Sequence, residues 1–237
     1  MAETHLVPAK SLGEALGTLL QTVGSGADLD NLRALLCQAV SQLAPLPGET
    51  RTKQQNAAFQ AIVAGLKRFS SGRLLWRGRP SFMSADLLRD LRVEAESLSG
   101  RATRAAGHHF HPGSIQANAF SVSEQLTKLM EEVSPGSLPT GVASFVYYFA
   151  AGDGIPPHLD TNMFSLNVLL MLEHCYVQHP SHLVLYEDAA EPRRLLLKPG
   201  EIVIFDGSAL VHAREKLKEG ERISILTVGF SPKAARL

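Results

Sequence analysis

From residue 144 to residue 230 the chain is a succession of short β-rich runs, SFVYYFA, SLNVLLML, HLVLY, RRLLL, EIVIFDG and RISILTVGF, punctuated by Gly, Pro, Asp and His. Runs of this length and composition read as strands. No helical pattern separates them, and parallel neighbours would need crossovers of a dozen or more residues, so the runs are expected to pair antiparallel. Strand upon strand without crossover helices disfavours a doubly wound parallel sheet and points to a double sheet rolled up as a jelly roll.

The preceding residues have a different texture. Leu32, Leu35, Leu36, Val40 and Leu43 recur at helical spacing until Pro45, Pro47 and Gly48 end the pattern, and Phe59, Ile62, Val63 and Leu66 repeat it. An apolar helical stripe covers a core, so residues 1–72 are expected to form a helical N-terminal cap on a β domain spanning 73–237. Arg73, Arg77 and Arg79 around Trp76 read as a solvated face. Ser84 ahead of Leu87, Leu88 and Leu91 reads as an N-cap, and Ser121 with Glu124 as a capping box, which adds two flanking helices. The fold class is therefore mainly β with flanking α.

Composition removes several function classes. Lys+Arg and Asp+Glu both number 23 in 237 residues, so there is no electrostatic footprint for nucleic acid. The two cysteines, Cys37 and Cys175, lie far apart, which argues against a disulfide framework and for a reducing, cytoplasmic setting. MAETHLVPAK lacks the pattern of a signal peptide, and no run of about 18 apolar residues exists to span a membrane. Nothing in the sequence sets the oligomeric state. GxSxG, GxxxxGK[ST] and a strand–GxGxxG–helix arrangement are all absent, so serine-hydrolase, P-loop and dinucleotide-binding chemistry lose support.

The stretch GIPPHLDTNMF places His158 and Asp160 two apart, on one side of an extended backbone, where both can meet one ion. His212, beyond the run that begins at Glu201, is a third ligand that a rolled-up sheet can return to the pair. Two histidines and one carboxylate leave coordination positions open, whereas structural zinc is closed by four protein ligands. Arg222 and Ser224 share a face of RISILTV and suit a carboxylate, which an arginine fork grips through two charge-assisted hydrogen bonds. Tyr148 and Asn167 are further donors for such a cosubstrate.

His158, Asp160, His212, Arg222 and Ser224, in that order, resemble the HxD…H…RxS signature of iron(II)/2-oxoglutarate-dependent dioxygenases, prolyl-4-hydroxylase-like group. KPGEIVIFDGSALVHAREKLKEGERISI is similar to that family's stretch around the distal histidine, and the resemblance covers roughly residues 74 to 237. It implies a double-stranded β-helix with iron held by His158, Asp160 and His212. It also implies 2-oxoglutarate and dioxygen as cosubstrates, the far carboxylate meeting Arg222 and Ser224, with ascorbate as an additional reductant. The implied reaction is hydroxylation of a C–H bond of a small molecule, an amino-acid side chain or a peptide, with release of succinate and carbon dioxide. Asp160 argues against halogenation, and Val228, where nucleic-acid demethylases carry a second arginine, argues against nucleic acid.

Two other readings stand beside it: a non-catalytic module that keeps the barrel, and a zinc-dependent cupin-like hydrolase, which leaves Arg222 and Ser224 without a role and lacks the usual HxH pair. Two histidine clusters, His108/His109/His111 and His174/Cys175/His179/His182, are weak metal candidates, the first also a candidate for lining the substrate entrance. Residues 105–120 and 161–165 are the expected entrance.

Overall fold

A computed structural model of the chain describes residues 12–23, 27–46, 49–69, 73–105, 107–160 and 162–232; Ala106 and Thr161, within the expected entrance, and parts of the N-terminal region lie outside them. Three helices come first, α1 (Leu12–Val23), α2 (Ala27–Leu43) and α3 (Lys53–Phe69). They are followed by β1 (Leu74–Gly78), α4 (Ala85–Ser99), β2 (Thr103–Ala105), β3 (His108–Pro112), α5 (Ile115–Ser121) and α6 (Glu124–Val133). Strand follows strand thereafter: β4 (Leu138–Tyr148), β5 (Ile155–His158), β6 (Leu166–Cys175), β7 (Leu183–Leu185), β8 (Arg193–Leu195), β9 (Ile202–Asp206), β10 (His212–Arg214) and β11 (Arg222–Ser231). A short 3-10 turn, Asn162–Phe164, interrupts the connection from β5 to β6.

The strands form two antiparallel sheets, a major one ordered β1-β9-β6-β11-β4-β3-β2 and a minor one ordered β5-β10-β7-β8. This is the double-sheet jelly roll expected from the β-rich runs, each of which contributes a strand. β1, β2, β3, β5 and β10 carried no clear strand signal: they are only three to five residues long and interrupted by His, Pro or Arg. The basic segment around Trp76 is thus an edge strand, and the HHFHP histidines lie on another strand, β3. Pro156 and Pro157 fall in an edge strand whose register against β10 shifts between the His158 and Ile155 pairings, so neither missing N–H interrupts a regular ladder.

Alternation along the strands sorts the core into three layers. On β6, Leu166, Val168, Leu170 and Leu172 face α4–α6 together with Leu226, Val228 and Phe230 of β11. Leu169, Met171, Ile223 and Ile225 face inward, toward Leu183, Leu185 and Leu210 of the minor sheet side. On the far side, Leu159, Val184, Tyr186, Val211 and Ala213 pack against Leu36 and Val40 of α2 and Phe59, Ile62, Val63 and Leu66 of α3. The helical stripes therefore cover the back of the minor sheet, and Phe59 meets Tyr186 edge-on with ring centroids 5.3 Å apart. Leu35, though in register with the α2 stripe, is exposed.

Ser84 caps α4 as expected, its side chain accepting from the Leu87 N–H at 3.1 Å. Ser121 does not cap α6. It ends α5, donating to the Asn118 carbonyl, and the cap is Ser123, which accepts from the Leu126 N–H. Glu124 consequently sits at the first helical position, too early to complete a capping box.

Candidate active site

β5 and β10 are antiparallel neighbours with His158 opposite His212, so the pairing of two three- and four-residue strands brings together histidines far apart in sequence. Their ring centroids are 4.2 Å apart. Asp160 follows β5 and is anchored by its own N–H, which donates to the Gly207 carbonyl at 2.8 Å. A side chain at 207 would not fit, since a Cβ there would lie 2.5 Å from the Asp160 Oδ2. The imidazole nitrogens and carboxylate oxygens offered by His158, Asp160 and His212 all lie within 4.8 Å of one another, the sole such grouping of metal-ligating side chains among the described residues.

Local hydrogen bonds prepare both rings as ligands. His158 Nδ1 lies 2.9 Å from the Pro156 carbonyl and His212 Nδ1 3.0 Å from the Leu210 carbonyl. A carbonyl only accepts, so each Nδ1 carries a proton, and each Nε2 faces inward, offering its lone pair whenever the ring is neutral. Those Nε2 atoms lie 3.7 Å (His158) and 3.5 Å (His212) from the two oxygens of Asp160. Burial, reinforced by the neighbouring His212, pulls the His158 imidazole down to about 4, which keeps it neutral at pH 7. Burial disfavours charge on His212 too, but Asp160 outweighs it and the net shift is upward. Burial likewise works against the Asp160 carboxylate, and the two histidines with Asn167 overcome it to give a net downward shift.

The triad opens on a cavity of about 420 Å³ between the sheets. Tyr148 and Asn167, both expected as cosubstrate donors, line it. Burial pushes the Tyr148 hydroxyl up to about 12, with Arg214 opposing, so it stays protonated and able to donate. The Asn167 amide donates one N–H to the Asp160 Oδ2, at 2.7 Å.

Arg222 and Ser224 do not reach this cavity. They share one face of β11, as the alternation requires, but it is the outer face: Arg222 is exposed and pairs with Glu173 at 3.1 Å, beside Arg92 and Glu96 of α4. The inward positions are taken by Ile223, Ile225 and Thr227, the first two buried in the inter-sheet layer. An apolar side chain gains more from that interior than a charged one, and this sets the register.

The cation within the cavity is Arg214. Two residues after His212 on β10, it projects to the same side, is 2% exposed, and has its Cζ 6.0 Å from the centroid of the Tyr148 ring. None of its three guanidinium nitrogens makes a hydrogen bond of regular geometry to the described residues, and Tyr148 is the nearest group that interacts with it. Burial lowers its pKa, opposed by Tyr148, Glu221 and Glu215, but a guanidinium remains charged at neutral pH. A buried charge with unused donors costs folding free energy and marks a place where an anionic partner completes the structure. The signal was available in the sequence as the spacing His212-Ala213-Arg214 on a strand.

Among the described residues, the other histidines have structural partners or open surroundings. His174 pairs with Glu221 at 2.7 Å and His182 with Glu215 at 3.0 Å, while Cys175 and His179 are exposed. Of the β3 histidines, His108 lines the cavity, His109 packs on Phe149, and His111 bonds its neighbour's carbonyl. Phe110, Met163 and Phe164 join His108 on the wall, within the expected entrance segments.

No protein-family model matches the chain, and no curated protein matches it. Solved structures do. The non-haem alpha-ketoglutarate-dependent epimerase SnoN from nogalamycin biosynthesis superposes with a TM-score of 0.56 at 14% identity, over 71% of this chain and 84% of that one. A Pseudomonas putida prolyl-4-hydroxylase gives 0.53 at 16% identity, over 73% of this chain and 100% of its own. HygX from Streptomyces hygroscopicus, solved with nickel and 2-oxoglutarate bound, gives 0.54 at 11% identity, over 78% and 88%. Two facing antiparallel sheets, with a histidine–aspartate–histidine grouping at one end of the space between them, thus give this chain the double-stranded β-helix fold of the iron(II)/2-oxoglutarate-dependent oxygenases.

Proposed function

We propose that the chain is an iron(II)- and 2-oxoglutarate-dependent oxygenase that hydroxylates a C–H bond of a small molecule or an amino-acid side chain. One observation carries the reading: three convergent side chains able to ligate a metal share one cavity with a buried guanidinium whose nitrogens stay within reach of an anion beside Tyr148. His158, Asp160 and His212 would hold iron(II) from one side, leaving the remaining positions toward the cavity. Iron(II), 2-oxoglutarate and dioxygen together supply oxidation of an unactivated C–H bond with release of succinate and carbon dioxide.

The chain's own residues do the placing. Arg214 lies two strand residues from His212, a rise of roughly 6.6 Å, and a five-carbon keto diacid fits that interval. Its far carboxylate would take the unused donors of Arg214 and the protonated hydroxyl of Tyr148. Leu169, Leu183 and Ile225 wall this half and exclude water. Phe110, Val142, Met163 and Phe164 line the rest, with Phe110 and Met163 partly exposed at the rim, a surface suited to an uncharged, largely apolar part of a substrate. The solved structures of SnoN and HygX that contain nogalamycin RO and hygromycin B support a small-molecule substrate. The free thiols of Cys37 and Cys175 suit a reducing, cytoplasmic setting.

Adding iron(II) and 2-oxoglutarate without dioxygen should give the protein a visible charge-transfer band. Arg214→Met is expected to weaken the 2-oxoglutarate dependence of that band by about 100-fold, in the range for a desolvated charge pair losing one partner. Arg222→Met should leave it unchanged. The reverse pattern returns the anchor to β11, and no band in folded, iron-loaded protein refutes cosubstrate chelation.

A further inference from the structure

Asn167 is the one strongly polar residue in the apolar run of β6, the strand between β9 and β11 at the centre of the major sheet. It stands opposite Phe205 on one side and Gly229 on the other. Its residue is 5% exposed, its side chain faces the cavity, and its Nδ2 donates to the Asp160 Oδ2 at 2.7 Å. An ionised carboxylate only accepts, so the amide nitrogen and not its oxygen must face Asp160. The Oδ1 is buried without a hydrogen-bond partner. Such a group in the middle of a sheet costs stability unless its geometry is used.

Asp160 is held from two directions. Its backbone is tied to Gly207, and the absence of a side chain there leaves the space that Oδ2 occupies. The Asn167 amide then engages that same oxygen. Oδ1 lies 3.7 Å from His158 Nε2 and Oδ2 3.5 Å from His212 Nε2, and since Oδ2 already accepts from Asn167, Oδ1 is the oxygen left free for a metal bond.

We propose that Asn167 is a positioning residue that holds Asp160 in one-oxygen ligation and thereby sets how many positions on the metal stay open. A carboxylate free to rotate would close over the ion with both oxygens and take a position needed by cosubstrate. Asn167 is therefore spent on the metal ligand and not on 2-oxoglutarate. The inference rests on the metal reading of the triad.

Cobalt(II) alone, titrated into the metal-free chain and followed by its visible absorption, tests it. Asn167→Leu keeps the branched outline and removes the donor. Loss of a partner to a metal ligand weakens metal binding by roughly 10- to 100-fold, and that loss is expected here together with a changed band shape as the carboxylate alters its ligation. A purely packing role for Asn167 would leave the spectrum unmoved. Unchanged affinity and spectrum in folded Asn167→Leu overturns the proposal. Should Leu not be accommodated, Asn167→Ala, which adds no bulk, is read by the same two measures with the same outcomes. If the native chain itself binds no cobalt, the metal reading and this inference fall together; if it binds and the variants bind identically, only this inference falls.

Discussion

A single step of strand register separates Arg222 from the cavity, while Arg214 reaches it by standing two residues from a metal-ligating histidine. The difference shows how much of a site is carried by alternation: His158, Asp160 and His212 were legible because their residue types are rare in strands and their chemistry is shared. Which face of β11 turns inward depended on Ile223 and Ile225 claiming the interior. Protonation is decided at this scale as well. Metal must displace the proton of His212, whose pKa stands above its ordinary value, whereas His158 is already neutral throughout the physiological range. Cobalt(II) or manganese(II) affinity should therefore rise with pH by up to about tenfold per unit, the slope for one released proton, and level off above the His212 pKa. Calorimetric titrations from pH 6 to 8 check this, and a flat profile would show that His212 is unprotonated at the outset. In the metal-free chain the same shifts act on stability in opposite senses. The His212 contribution is full below the unfolded pKa and is lost as pH rises through the folded one, while that of His158 is present above about 6.5 and is lost as pH falls toward about 4.

Among elements, the minor sheet is the weak partner: its four strands are three or four residues long, and one face of it is the cavity wall. Its support comes from behind, where α2 and α3 cover Leu159, Val184, Tyr186, Val211 and Ala213. Phe59→Ala, which empties the contact with Tyr186 at the centre of that layer, is expected to cost about 3–5 kcal/mol, measured by chemical denaturation. Metal affinity should fall in parallel, because β5 carries His158 on one side and packs on α2 through the following residue. A variant as stable as the native chain would show that the helices lie on the sheet without bracing it. The helical stripes themselves could be read directly from periodicity; what they pack against could not, since an apolar face names no partner. Short strands such as β5 and β10 were likewise illegible, because three or four residues carry no period.

At the level of the whole molecule, the order of strand-rich runs determined the architecture well before any site residue was considered, and the sheets then delivered three distant ligands to one point. The proposed anion anchor, Arg214, required knowing which side chains share an interior, a property of the closed double sheet and not of a segment. One expectation belongs to the molecule as a unit. Manganese(II) with 2-oxoglutarate, each at about 100 times its dissociation constant, should stabilise the folded chain by at least about 2.7 kcal/mol, a rise of roughly 5–10 °C in melting temperature for a chain of this size. 2-Oxoglutarate alone, meeting Arg214 without the metal end, should give a clearly smaller rise. Equal shifts with and without manganese would separate the diacid from the triad.

Leu159 sits between two of the metal-ligating residues, and its side chain points away from them into the helical layer, where the Cys37 thiol donates to its carbonyl. One peptide segment therefore has its chemistry on one side and its mooring on the other. Whatever grips, nicks or loosens the N-terminal helices is thereby expected to reach the proposed ligand pair through one peptide segment.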